Sequence, residues 1–115
     1  MPHYLVQVAY TDRAWSSLVK DPQNRIESLR PVIERLGGKI ENAYLSFGEY
    51  DVVGMIQMPD NTDAAALSMA LMAGGAVKNV CTTPLITFEQ GIEAMKKAHT
   101  AAYTPPKENP MIKHE

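Results

Sequence analysis

The sequence predicts a single α+β domain of β-α-β-β-α-β order: a ferredoxin-like sheet with helices on one face and an extra C-terminal helix. Three observations carry this. Residues 43–59 read as two strands, 43–47 and 51–58, rich in β-branched, aromatic and long apolar residues and closed by the turn Gly48-Glu49-Tyr50. Around this hairpin, apolar spacing alternates between the strand period of two and the helix period of 3.6. The 115 residues are 45% hydrophobic and 21% charged, which suits one packed core. The domain is placed over residues 1–102, and a tail over 103–115 carries Pro105, Pro106 and Pro110 and too little apolar content to fold alone.

The first strand, residues 3–11, puts His3, Leu5, Gln7 and Ala9 on one face and Tyr4, Val6, Val8 and Tyr10 on the other. The second face is expected under helices. The first mixes apolar and polar groups, as suits a sheet surface that meets a partner subunit or lines a cavity. Thr11 caps a helix over 12–20, with Asp12 in its first turn and Trp15, Leu18 and Val19 in one stripe. Asp21 and Pro22 then read as the N-cap and first position of a second helix. Ile26, Leu29, Ile33 and Leu36 continue it to Gly37-Gly38, with a kink expected at Pro31. Arg25, Arg30 and Arg35 lie on it with Glu27 and Glu34, read as a solvated face.

The strand over 39–47 divides into Ile40, Asn42, Tyr44 and Ser46 against Ala43, Leu45 and Phe47. Met55 and Gln57 of the next strand join the first set if the register allows it. A third helix follows Pro59-Asp60, capped by Asn61 or Thr62, with Ala66, Leu67, Ala70 and Leu71 as its stripe and Gly74-Gly75 as its end. The last strand, 77–85, pairs beside the first. Thr87 and Gln90 form a capping-box pattern for a helix over 88–99 with Ile92 and Met95 inward.

Composition narrows the function classes. A formal charge of -2 and no long basic run argue against nucleic acid, and no apolar run reaches membrane-spanning length. The lone Cys81 has no intrachain partner, and Met1-Pro2-His3 lacks the features of a signal peptide, so a cytoplasmic protein is expected. His99 and His114 stand at no metal-ligand spacing, so no metal and no cofactor is expected.

Gly48-Glu49-Tyr50-Asp51-Val52-Val53, followed by Met58-Pro59-Asp60, resembles the signature of the GYD domain family of small bacterial proteins. Leu36-Gly37-Gly38-Lys39-Ile40, the Ala-rich helix after Pro59-Asp60 and the passage from Asn79-Val80 to Thr87-Phe88-Glu89 extend the resemblance from about His3 to about Glu93. It implies a dimeric α/β barrel.

The candidate catalytic residues are His3, Tyr50 and Asp51: an imidazole that titrates near neutrality, and a phenol and carboxylate at a hairpin mouth. Asp51 and Tyr50 read equally as turn anchors. The candidate ligand-binding residues are Tyr4, Gln7, Asn42, Tyr44, Met55 and Gln57, polar and soft apolar groups around a recess. The function expected is a small-molecule-binding homo-oligomer, dimeric or of higher even number, whose recess takes an apolar or aromatic ligand. The alternative is a cofactor-independent isomerase, cyclase or oxygenase acting in the same recess.

Overall fold

A computed structural model describes residues 1–107 of the chain. Its elements run β1 (His3–Tyr10), α1 (Asp12–Lys20), α2 (Arg25–Arg35), β2 (Lys39–Leu45), β3 (Val52–Gln57), α3 (Asn61–Ala73), β4 (Val77–Leu85) and α4 (Phe88–Thr100). The four strands form one antiparallel sheet in the order β2-β3-β1-β4, the ferredoxin-like arrangement. Two compact units are distinguished, Met1–Leu85 and a second that starts at Ile86 and holds α4.

The alternation along β1 sorts the sheet into two faces. Tyr4, Val6, Val8 and Tyr10 are buried with Ile33 of α2, Ile56 and Met58, Ala64 and Leu67 of α3, and Val77. Trp15 and Leu18 of α1 and Leu29, Val32 and Leu36 of α2 pack against this core. The register places the other set on the open face: His3 pairs with Gln57 and Leu85, Leu5 with Met55 and Thr83, and Gln7 with Val53 and Cys81. Pro84, which cannot donate to a ladder, sits on the edge strand β4, where one side needs no donor.

Several local assignments differ from the sequence reading. Asp21 is the C-cap of α1, and α2 starts four residues later behind Asn24, whose Oδ1 accepts the Ile26 amide at 3.1 Å. The stretch from Asp21 to Asn24 is a connection, because Asp21 is taken up as the C-cap of α1 and leaves Asn24, an equally good cap, to start α2. Pro31 is held inside α2 at an exposed position, where the missing amide bond faces water. Asp60, rather than Asn61 or Thr62, caps α3, accepting the Asp63 amide at 2.9 Å. The α3 stripe runs through Ala64, Leu67 and Leu71, while Ala70 is exposed.

β2 ends at Leu45 and carries a bulge at Glu41, because Ile40 pairs with Ile56 while Asn42 pairs with Met55. The extra residue turns Ile40 to the helix side, away from Asn42 and Tyr44. Gly48 has open space at its Cβ position and is not among the glycines of positive φ, which are Gly37 and Gly75. The hairpin connection is thus long enough to close without a left-handed glycine. Thr87 and Gln90 do form the capping box of α4. That helix buries none of its residues, and Ile92 and Met95, expected inward, are 53% and 70% exposed. Residues 103–107 form no helix or strand, and the rest of the expected tail, 108–115, lies outside the described residues.

Candidate functional site

A cleft of about 650 Å³ lies on the helix side of the sheet, along the edge strand β2. Its walls are Trp15, Leu18 and Val19 of α1, the α1–α2 connection at Pro22 to Asn24, and Arg25, Ile26, Leu29 and Arg30 of α2. Val8, Tyr10, Val52 and the β2 run from Ile40 to Leu45 complete it. Its size falls within the range of small-molecule sites.

Local sequence explains why the cleft stays open. The connection after Lys20 carries α2 away from α1, and the α2 stripe meets the sheet most closely at Ile33, which is almost fully buried, while Leu29 and Ile26 are only half buried. The floor is rigid. Trp15 meets Tyr10 edge to face, with ring centroids 5.6 Å apart at 84°. The Trp15 indole N–H donates to Asp51 Oδ2 at 3.1 Å, and the Tyr10 amide donates to the same oxygen at 2.8 Å. Burial pushes the Tyr10 phenol above its ordinary range; Arg25, facing it, opposes the shift and Asp51 adds to it.

The candidate residues from the sequence fall into four places. His3, Gln7, Met55 and Gln57 share the open sheet face. Asn42 and Tyr44 lie on the edge strand that borders the cleft, but they pair with Met55 and Val53 and so belong to the open face. Tyr4 is 2% exposed in the core, and its hydroxyl donates to Asn61 Oδ1 at 2.5 Å. Tyr50 and Asp51 stand at the far end of β1, where the Asp51 amide donates to the Val8 carbonyl at 2.8 Å. His3 is five residues back along that strand from Val8, about 17 Å away, so the three candidate catalytic residues are not brought together.

Each has its own partners instead. His3 Nδ1 lies 2.6 Å from Glu41 Oε1, the residue the bulge supplies. The Tyr50 phenol reaches Asn79 and Cys81 of β4. Partial removal from water raises its pKa, with Cys81 and Glu49 adding to the rise. Cys81 is half buried opposite Gln7 on the open face. Among the described residues no three His, Cys, Asp or Glu side chains gather as a metal site, and no helix is long and apolar enough to cross a membrane.

Trp15, Leu18, Ile26 and Arg25 were not among the candidates. In sequence they read as a packing stripe and a solvated charge. The only signal that could have found them is the pairing of two amphipathic helices separated by a proline-bearing break, which keeps their apolar faces from closing on each other.

A four-stranded antiparallel sheet, with one face open and a cleft under the helices of the other, defines a small ferredoxin-like α+β domain. The chain belongs to the GYD domain family, whose model matches residues 4–95. It is similar to the glutamine synthetase and cystathionine beta-lyase binding protein of Thermus thermophilus, with 31% identity over 81 residues, covering 70% of this chain and 84% of that protein. Two solved structures are also similar. FFRP-DM1 shares 13% identity at a TM-score of 0.47, covering 75% of this chain and 100% of that one. A hypothetical protein of Pyrococcus horikoshii shares 11% identity at a TM-score of 0.49, covering 76% and 92%.

Proposed function

We propose that the protein is a self-associating binding protein whose cleft between α1, α2 and β2 takes a small apolar or aromatic ligand. The observation that carries this reading is the cleft itself, about 650 Å³ with Trp15, Leu18, Ile26, Leu29 and Ile40 in its lining. Flat hydrocarbon would replace water against these side chains and gain about 25 cal/mol for each Å² it removes from solvent. Binding is favoured over turnover because His3 and Asp51 stand at opposite ends of β1. The open face, with Leu5, Val53, Met55 and Leu85 half buried around Gln7 and Gln57, is the surface for a second copy.

The sole tryptophan of the chain lines the cleft, so its single indole NMR cross-peak is a local probe. A screen of small aromatic compounds is expected to give saturable shifts of that peak, and sedimentation an even-numbered oligomer. A monomer whose indole peak no compound moves would refute the reading.

A second reading takes a protein partner, after the Thermus thermophilus relative named for its binding of two enzymes. The observation in its favour is the exposed stripe of Phe88, Ile92 and Met95 on α4. Co-elution of the purified protein with glutamine synthetase, abolished by Phe88→Glu, would support it.

A further inference from the structure

We infer that the cleft selects organic anions, an aromatic or aliphatic body carrying one carboxylate, with Arg25 as the group that receives the carboxylate. This deepens the reading of the cleft as a small-molecule site and rests on it.

The charges around the cleft are unequal in their commitments. Glu27 is 3.6 Å from Arg30, and Glu41 is 2.6 Å from His3. Arg25 has no carboxylate within 4.0 Å among the described residues; its guanidinium makes a long 3.4 Å bond to the Ser28 hydroxyl and faces the Tyr10 phenol. A guanidinium offers five N–H donors in a planar fork that fits a carboxylate in bidentate fashion. Most of the Arg25 donors therefore await an acceptor.

Arg25 is also the first residue of α2, directly after the N-cap Asn24, and both line the cleft. The α2 N-terminus brings the positive end of an eleven-residue helix to the same spot, and this favours an anion there. The Tyr10 phenol, which faces Arg25 and lines the same cleft, is a further donor at its floor. The apolar side chains lie deeper along the same walls. A ligand with its carboxylate at Arg25 and its ring toward Trp15 and Leu29 would meet donors at one end and hydrocarbon at the other. The one carboxylate near the floor, that of Asp51, is occupied by the Trp15 indole and the Tyr10 amide and thus turned from the ligand space.

The test uses two isosteric probes, 1-naphthylacetate and 1-naphthylacetamide, titrated into the full chain while the Trp15 indole cross-peak is followed. Wild type is expected to bind the anion at least about tenfold more tightly than the amide. Arg25→Gln should erase the difference, and Arg25→Lys should keep part of it, with unchanged dispersion elsewhere in the spectrum showing that both variants fold. Equal affinity for the two probes in wild type would overturn the selectivity and leave the cleft as a ligand site. Binding of neither, or an indole peak that moves with protein concentration alone, would overturn both, the latter because a second copy then fills the cleft.

Discussion

Asp51 and Trp15, 36 positions apart, are joined by a 3.1 Å hydrogen bond that ties the hairpin to α1. The Tyr10 amide converges on the same carboxylate oxygen at 2.8 Å. The aspartate of the family's own motif thus holds three elements at one corner of the domain. Asp51→Ala leaves two donors without an acceptor and should cost about 2 kcal/mol in urea unfolding. Asp51→Asn, which keeps an oxygen in place, should cost less. Wild-type stability in Asp51→Ala would show that the tie contributes nothing.

Tyr4 is a core residue with one polar obligation, the 2.5 Å bond to Asn61. Tyr4→Phe keeps the packing and removes that bond, so a loss of about 1 kcal/mol is expected. Affinity at the cleft should not change. A change in affinity with no loss of stability would return Tyr4 to the binding residues.

Alkaline stability follows from Tyr10. Unfolded, its phenol titrates at the ordinary value of 10.0; folded, burial holds the proton to higher pH. Its contribution is therefore complete below that ordinary value and is lost as pH rises through the folded one, because only the unfolded chain releases the proton early. Unfolding free energies measured from about pH 9 to 11 should fall, and Tyr10→Phe should flatten the fall. An unchanged slope in Tyr10→Phe would assign the effect to another group.

The two glycines that flank β2 should answer differently to one added methyl. A Cβ on Gly38 would run into Met58 Sδ and lie 2.7 Å from the Gln57 carbonyl, whereas at Gly48 nothing lies within 4 Å. Gly38→Ala should cost about 1–3 kcal/mol. Gly48→Ala should leave the melting temperature within about 1–2 °C of wild type, as an unstrained surface change does. Similar values for both would mean that β2 and β3 relax around the new group.

The strand periods and the capping chemistry were legible in the residues. Thr11 and the Thr87–Gln90 box cap α1 and α4 through the side-chain bonds their types suggest, and the inward set on β1 is the one its alternation marks. The sheet order followed from the sequence of elements. What stayed hidden depends on contacts between distant segments. Two candidate caps compete ahead of α2, and Asn24 prevails over Asp21 only because of where α1 stops. The cleft belongs to no motif, since it is the space left between two stripes that each look like ordinary core. Asp51 reads as a turn residue and proves to be a tie across 41 positions to Tyr10. Face parity on β2 was lost to one residue that period-two counting has no means to detect.

That residue, Glu41, has a further consequence. The strand pairs Ile40 with Ile56 and Asn42 with Met55 as a regular ladder would if Glu41 were not there. Removing it would leave the inward residues and the hydrogen-bonded register as they are, and would take away only the carboxylate beside His3. The polar pair on the open face is therefore an insertion laid over a complete strand, so that surface can gain or lose its imidazole–carboxylate contact through the gain or loss of one codon while the pairing that builds the core keeps its register.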